Sequence, residues 1–225
     1  MSITYRDLRG MDEFKAAHAM QHVVWGDDDL ADPPDLMMVI QDEGGIVAGA
    51  FDGDRLLGYV FGFPTRDGHV QHSHRLAVLP EQRGAGIGAG LKTYQRDWCR
   101  ARGIGIIRWT YDPLLARNAN LNIHRLGAIG ARYHVNRYGL DGSYNGGVET
   151  DRLDAEWHVE GRPATRTEAS ITIPADFLQR MQSGDPRALE ARLEGRHAMQ
   201  ALFDQGLVIT GFDLASCRYD FGRIL

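Results

Sequence analysis

The stretch LPEQRGAGIGAGL, from Leu79 to Leu91, limits what this chain can fold into more than any other. Gly84, Gly86, Gly88 and Gly90 stand at alternate positions between an apolar run and a run of helical spacing. HVQHSHRLAVL (His69–Leu79), just before, reads as a strand. Just after, Ile87, Leu91, Tyr94, Trp98 and Ala101 recur at intervals of four and three, one apolar helix face with Lys92, Arg96 and Arg100 off it. Gly103 then stands where helices commonly close. The predicted order is strand, short loop, helix. The first turn of such a helix leaves about four N–H groups without an intrahelical partner. Glycines let successive amides curl toward one concavity, and the helix end adds about half a positive charge. Together they make an anion site built from backbone. Arg83 can add a charged side chain or face solvent; the alternative reading of the whole stretch is a flexible Gly-rich turn.

Known phosphate loops divide on this stretch. Gly84-x-Gly86-x-x-Ala89 satisfies the loose dinucleotide fingerprint, and Asp112 lies about 20 residues on at a strand end. Against it, Pro80-Glu81-Gln82-Arg83 separates strand from first glycine, where the fingerprint turn is immediate. The nucleoside-triphosphate loop needs Gly-Lys-Ser/Thr, which is absent.

The surrounding chain reads as α+β. Ile3–Leu8 is a short strand, and Met11–Trp25 a helix with Phe14, Ala17, Gln21 and Val24 on one stripe. The acidic stretch Gly26–Asp35 is a loop, and LMMVIQDE a short second helix. Gly45–Asp52 and Arg55–Pro64 flank Gly53-Asp54, a strong hairpin signal; with His69–Leu79 they make an antiparallel meander. Strands follow around Ile104–Asp112, Ala131–Tyr138 and Arg152–Val159, with a short helix over Asn118–Leu126 that stops at Gly127. EGRPATRTEAS (Glu160–Ser170) is polar and reads as a linker. Beyond it come a strand at SITIP, a helix opened by Asp185-Pro186 as N-cap and first residue and closed by Gly206, and two last strands. Leu189, Leu193 and Ala201 give that helix core spacing.

At 225 residues, 43% hydrophobic and 24% charged, the chain fits one large domain or a domain with an appendage. A net charge of −5 without a Lys/Arg run points away from nucleic acid. No apolar run approaches a membrane span. Cys99 and Cys217 are the only cysteines and form no C-x-x-C pair, so neither a disulfide framework nor a zinc finger is expected. MSITYRDLRG carries no secretory apolar core, so the expected setting is the cytoplasm.

LAVLPEQRGAGIGAGL (Leu76–Leu91) resembles the acetyl-CoA signature of the GNAT superfamily of N-acetyltransferases: an apolar strand ending in Val-x-Pro, then Arg/Gln-x-x-Gly-x-Gly/Ala opening a helix. The element order from Ile3 to about Val159 resembles that fold too. The resemblance implies a central mixed, mostly antiparallel sheet flanked by helices. It spans residues 1–160 and leaves 161–225 as a small α+β C-terminal extension of unassigned role. It implies acetyl-CoA as co-substrate, its pyrophosphate on the amides of Arg83, Gly84, Ala85, Gly86, Ile87 and Gly88 and its pantetheine arm along the backbone of Ala77, Val78 and Leu79. Relatives often contact the cofactor through an asparagine at the start of the later helix; Asn118 is the candidate, with Asn120 next.

The reaction so implied is direct acetyl transfer from acetyl-CoA to a primary amine of a small molecule or amino acid. An amine of pKa about 10.4 must first lose a proton, at a cost of about 4–5 kcal/mol at pH 7. A backbone N–H near Val78 would answer the charge developing on the acyl oxygen, worth about 3–4 kcal/mol. His72 and His74 share one strand face by period-2 alternation, just before the signature, where relatives often place a base. His74 is the first candidate for general base and His72 the second. The alternatives are inert polar residues or zinc ligands completed by His69, His134 or His18. Many relatives carry a tyrosine four residues before the glycine that ends the later helix; here that position is Ile123, which leaves His124, Tyr133 and Tyr138 as other sources of an acid. Asp27, Asp28, Asp29, Asp32 and Asp35 can attract a cationic acceptor or simply solvate a loop. His18 and His22, at i and i+4, can line the acceptor pocket or pack. The C-terminal part can cover a sheet edge, complete a homodimer or shape a pocket. A CoA-binding regulatory module without catalysis and a nicotinamide-dependent enzyme remain rival functions.

Overall fold

Apolar runs separated by tight polar turns become an antiparallel ladder in the computed structural model of the chain, which describes residues 3–139 and 148–225. These divide into two compact units, residues 1–107 and 108–225. In the first, β1 (Thr4–Asp7), β2 (Ile46–Asp52), β3 (Arg55–Pro64) and β4 (Val70–Val78) lie side by side in that order, each antiparallel to the next. The hairpin closes at Asp52 opposite Arg55 around Gly53-Asp54, as its dipeptide predicts. Helices α1 (Gly10–Trp25) and α2 (Pro34–Asp42) cover one sheet face, burying Phe14, Ala17, Met20 and Met37 against Val47, Phe51, Tyr59, Phe61 and Ala77. Helix α3 (Ile87–Arg100) covers the other and buries Ile87, Leu91 and Trp98.

One sequence expectation for α3 fails. Lys92, placed off the apolar face, is 4% exposed and lies with Gln95 and Cys99 under the sheet. Gln71 and Ser73 of β4 face it, so a second, polar stripe of α3 is buried by hydrogen bonding: Lys92 Nζ donates to Ser73 Oγ (2.7 Å) and Gln95 Oε1 (3.1 Å), and Gln95 Nε2 donates to Gln71 Oε1 (2.8 Å).

β5 (Ile106–Tyr111) runs across the unit boundary. The second unit continues with α4 (Ala116–Ala119), a π-helical segment Asn120–Arg125, β6 (Ile129–His134), β7 (Arg152–His158), β8 (Thr165–Thr172), α5 (Phe177–Ser183), α6 (Arg187–Phe203), β9 (Val208–Asp213) and β10 (Arg218–Ile224). Its strands lie in the order β5-β7-β6-β9-β10-β8. The stretch read as a linker is therefore partly a strand: Thr165–Ser170 begins β8, antiparallel to β10. An edge strand with one solvated face has no need of apolar alternation, so its sequence looks like a loop. Helix α5 was not foreseen.

α6 also turns a different face inward. Leu189 and Leu193 are 45% and 47% exposed, whereas Ala188, Ala191, Arg192 and Met199 are buried. Arg192, with no exposed surface, donates from Nη1 to Asp112 Oδ1 at 2.9 Å, and that ion pair sets the helix rotation. The helix opens one residue later than the Asp-Pro signal suggests: Pro186, not Asp185, stands at the N-cap, and Asp185 just before it accepts the Arg187 N–H at 2.9 Å.

Candidate functional site

The glycine loop is bare backbone. Gly84 and Gly86 have φ of +89° and +81°, left-handed values costly for any other residue, and a Cβ on either would project into open space. Helix α3 starts on Gly86 with no side-chain cap and no acidic residue in its first turn. The N–H groups of Gly84, Gly86, Ile87, Gly88 and Ala89 have no hydrogen-bond partner among the described residues. Arg83, Gly84, Ala85 and Gly86 are exposed. Unsatisfied donors, a helix dipole and an open approach coincide, which is the physical requirement for holding an anion. Gly90 has a different purpose: a Cβ there would lie 2.1 Å from the Tyr5 hydroxyl, so it lets α3 approach β1.

Beside the loop, Leu79 donates its N–H to Leu57 O across the β3–β4 ladder (3.0 Å). Alternation in an antiparallel strand then turns the Val78 N–H away from β3, while Ala77 is buried. Val78 and Leu76 side chains instead meet α3, near Gly88.

Further back in β4, the ladder skips a residue. Phe61 pairs with Arg75 and Gly62 with Ser73, leaving His74 as the extra member of a β-bulge. Ser73 faces α3, whereas His72, His74, Arg75 and Ala77 all face the α1 side. The bulge thus points two consecutive residues, His74 and Arg75, the same way. The rings of His72 and His74 are 6.0 Å apart and pack on Phe63, at 4.9 and 5.5 Å, with Phe61 5.4 Å from His74.

The acidic stretch closes over this pair. His74 Nε2 lies 3.3 Å from Asp32 Oδ1, and Arg75 reaches Asp32 Oδ2 (2.7 Å), Asp29 Oδ2 (2.7 Å) and Leu30 O (2.8 Å). Trp25 covers the Arg75 guanidinium at 4.7 Å. Burial works to raise the Asp32 pKa, but the hydrogen bond and charge of His74 and the charge of Arg75 outweigh it and hold the carboxyl below its ordinary value. His18 Nδ1 lies 2.9 Å from Asp32 O, and the His18 and His22 rings meet edge to face. Two of the five aspartates read as open acceptor-attracting charge are thus engaged with the protein itself. Arg75 was missed by sequence reasoning, which assigns it to the opposite face by alternation; nothing local in HVQHSHRLAVL announces a bulge.

In the second unit, Asn118 is exposed on α4 and lines a cavity of about 380 Å³ together with Leu114, Arg117, Asp176, Leu178 and Gln182. Ile123 is fully buried. The Tyr133 hydroxyl donates to Asp151 at 2.5 Å, and burial followed by that hydrogen bond pushes its pKa up. Tyr138 is 59% exposed, with its hydroxyl 3.3 Å from Thr110 Oγ1. Among the described residues no three His, Cys, Asp or Glu side chains are grouped to hold a metal, and no helix is long and apolar enough to cross a membrane.

Residues 11–128 match the model of the acetyltransferase (GNAT) family. Solved structures share the fold. The ribosomal-protein-S18-alanine N-acetyltransferase of Escherichia coli is 16% identical, with a TM-score of 0.57 over 70% of this chain and 94% of that one. The yncA protein of Salmonella typhimurium, solved with acetyl-CoA, is 19% identical, with a TM-score of 0.55 over 73% and 98%. An aminoglycoside 6'-N-acetyltransferase complexed with coenzyme A is 16% identical, with a TM-score of 0.57 over 73% and 100%. No curated protein sequence matches significantly. With the signature loop at the N-terminus of α3, the antiparallel strands before it and a family match over more than half its length, the chain belongs to the acetyltransferase (GNAT) family.

Proposed function

We propose that this protein is an N-acetyltransferase that moves an acetyl group from acetyl-CoA to a primary amine of a small molecule or amino acid. The observation that carries the reading is the set of unpartnered amides of Gly84, Gly86, Ile87, Gly88 and Ala89, opened by two left-handed glycines at an uncapped helix N-terminus. These residues fit a diphosphate: several N–H donors lie free at a helix N-terminus, and a Cβ on Gly84 or Gly86 would meet nothing. In this reading the loop from Arg83 to Gly88 holds the pyrophosphate through its free amides and the backbone of Ala77 to Leu79 aligns the pantetheine arm. Residues 1–160 then carry the transfer machinery, and 161–225 form an extension.

Acetyl-CoA supplies its acyl group as a thioester, whose C–S bond breaks, with its electron pair leaving on sulfur, as the C–N bond to the amine forms. The chain's own part is to bind, to align and to take a proton. The Val78 N–H, facing away from β3, donates toward the acyl oxygen. His74 accepts the proton that the amine must lose, with His72 next to it as the second candidate. No tyrosine stands at Ile123, so the thiolate leaves without that acid and is protonated from solvent.

Thermal denaturation with CoA, acetyl-CoA and NAD(H), followed by thiol release from acetyl-CoA across a panel of amines, tests this. Stabilisation by the CoA compounds alone, with amine-dependent thiol release, is the expected result. Stabilisation by NAD(H) instead would refute the loop assignment, and CoA binding without release on any amine would leave a binding module.

A further inference from the structure

A histidine that accepts a proton must present a bare nitrogen in a fixed direction, and the surroundings of His74 determine which nitrogen that is. Building on the reading of His74 as the base, we propose that Asp32 is its positioning residue: the Asp32 carboxylate takes the Nε2–H of His74, leaves Nδ1 as the proton acceptor, and is held in place by Arg75 through the bulge in β4.

The geometry makes each link. Nε2 is the ring nitrogen beside Asp32, at 3.3 Å from Oδ1. A carboxylate accepts and does not donate, so it selects the tautomer protonated at Nε2. Asp32 is fixed both by α1 and by β4. Its N–H donates to Gln21 Oε1 (2.8 Å), its carbonyl accepts from Gln21 Nε2 (3.3 Å) and meets His18 Nδ1 (2.9 Å), and its Oδ2 meets Arg75 Nε at 2.7 Å. Its side chain is 15% exposed and that of His74 36%, so the acid is sheltered while the imidazole keeps an open side. Without the bulge, Arg75 would point toward α3 and Asp32 would face the imidazole without its own counter-charge.

The charges around the ring favour this assignment. Asp29, Asp32 and Arg75 carry one net negative charge, so the imidazolium formed when Nδ1 takes the amine proton completes a neutral cluster. β3 contributes the rings of Phe61 and Phe63, and the Tyr59 hydroxyl, which burial keeps neutral well beyond its ordinary pKa. His72 of β4 and His18 of α1 are the other titratable neighbours. Asp32 therefore supplies the negative charge nearest the ring.

The test uses full-length protein labelled with ¹⁵N-histidine and no coenzyme, with His74→Gln to assign the resonance. In the wild type, imidazole ¹⁵N shifts are expected to show Nε2 protonated and Nδ1 bare. In the near-isosteric Asp32→Asn variant, whose amide can both donate and accept, the two tautomers should mix. With acetyl-CoA and an accepted amine, kcat should fall in Asp32→Asn while the KM for acetyl-CoA holds. An Nδ1-protonated tautomer in the wild type overturns the proposal without recourse to any variant. An unchanged tautomer in Asp32→Asn overturns it equally. Because the histidine measurement needs no coenzyme, failure to bind CoA counts against the proposed function and an unchanged His74 tautomer counts against Asp32.

Discussion

Replacing Lys92 with methionine removes an amine that the fold buries. Lys92 is 4% exposed, and its hydrogen bonds to Ser73 Oγ and Gln95 Oε1 go to uncharged acceptors. Burial therefore disfavours the charged form and lowers its pKa from 10.5 to about 7. The unfolded chain keeps the proton up to about pH 10. Between pH 7 and 10 the unfolded state thus binds more protons than the folded state, and stability rises with pH through that window; below pH 7 both states hold the proton and the gain is gone. Integrated from pH 6 to pH 9, the lysine accounts for a rise of about 2.7 kcal/mol, which Lys92→Met should lack. The absolute stability of the variant depends also on the hydrogen bonds lost, but the pH dependence of the difference does not. Urea denaturation of both proteins at pH 6, 7, 8 and 9 measures it. The variant's advantage should shrink by about 2.7 kcal/mol, equivalent to about 5–11 °C in Tm for a chain of this size. Curves that stay parallel across that range would refute the claim that Lys92 loses its proton in the folded protein.

Three other outcomes are expected. Gly86→Glu introduces a side chain and a negative charge at a left-handed position facing open space, so stabilisation by CoA, about 2.7 kcal/mol at a hundredfold excess over Kd, should vanish; unchanged stabilisation would remove the loop from the binding site. His74→Ala should lower turnover by about 10²-fold with CoA affinity unchanged, and an unaltered pH–rate profile would exclude His74 as the base. Asp112→Ala leaves the fully buried Arg192 without its carboxylate and should cost about 3–5 kcal/mol in urea denaturation; a loss below about 1 kcal/mol would show that this pair does not set the rotation of α6.

The amino-acid sequence by itself determined what depends on neighbours along the chain. The Gly53-Asp54 hairpin, the stripe of Phe14, Ala17 and Gln21 on α1, and the strand–glycine loop–helix unit are written in local spacing and turn chemistry, which act over a few residues. The loop was legible for the same reason: its amides are free because of where a helix begins, whatever packs elsewhere. Tertiary structure alone decided which faces found partners. Lys92 is buried because Ser73 and Gln71 of β4 receive the polar stripe of α3. Leu189 and Leu193 stay exposed because Arg192 is drawn to Asp112, 80 residues away. Thr165–Thr172 is a strand because β10 pairs with it, not because of its own pattern. The meeting of Arg75 with Asp29, 46 residues apart, depends on a one-residue bulge that reverses alternation for everything after it. Register is fixed by pairing across strands, and no residue carries that information within its own segment.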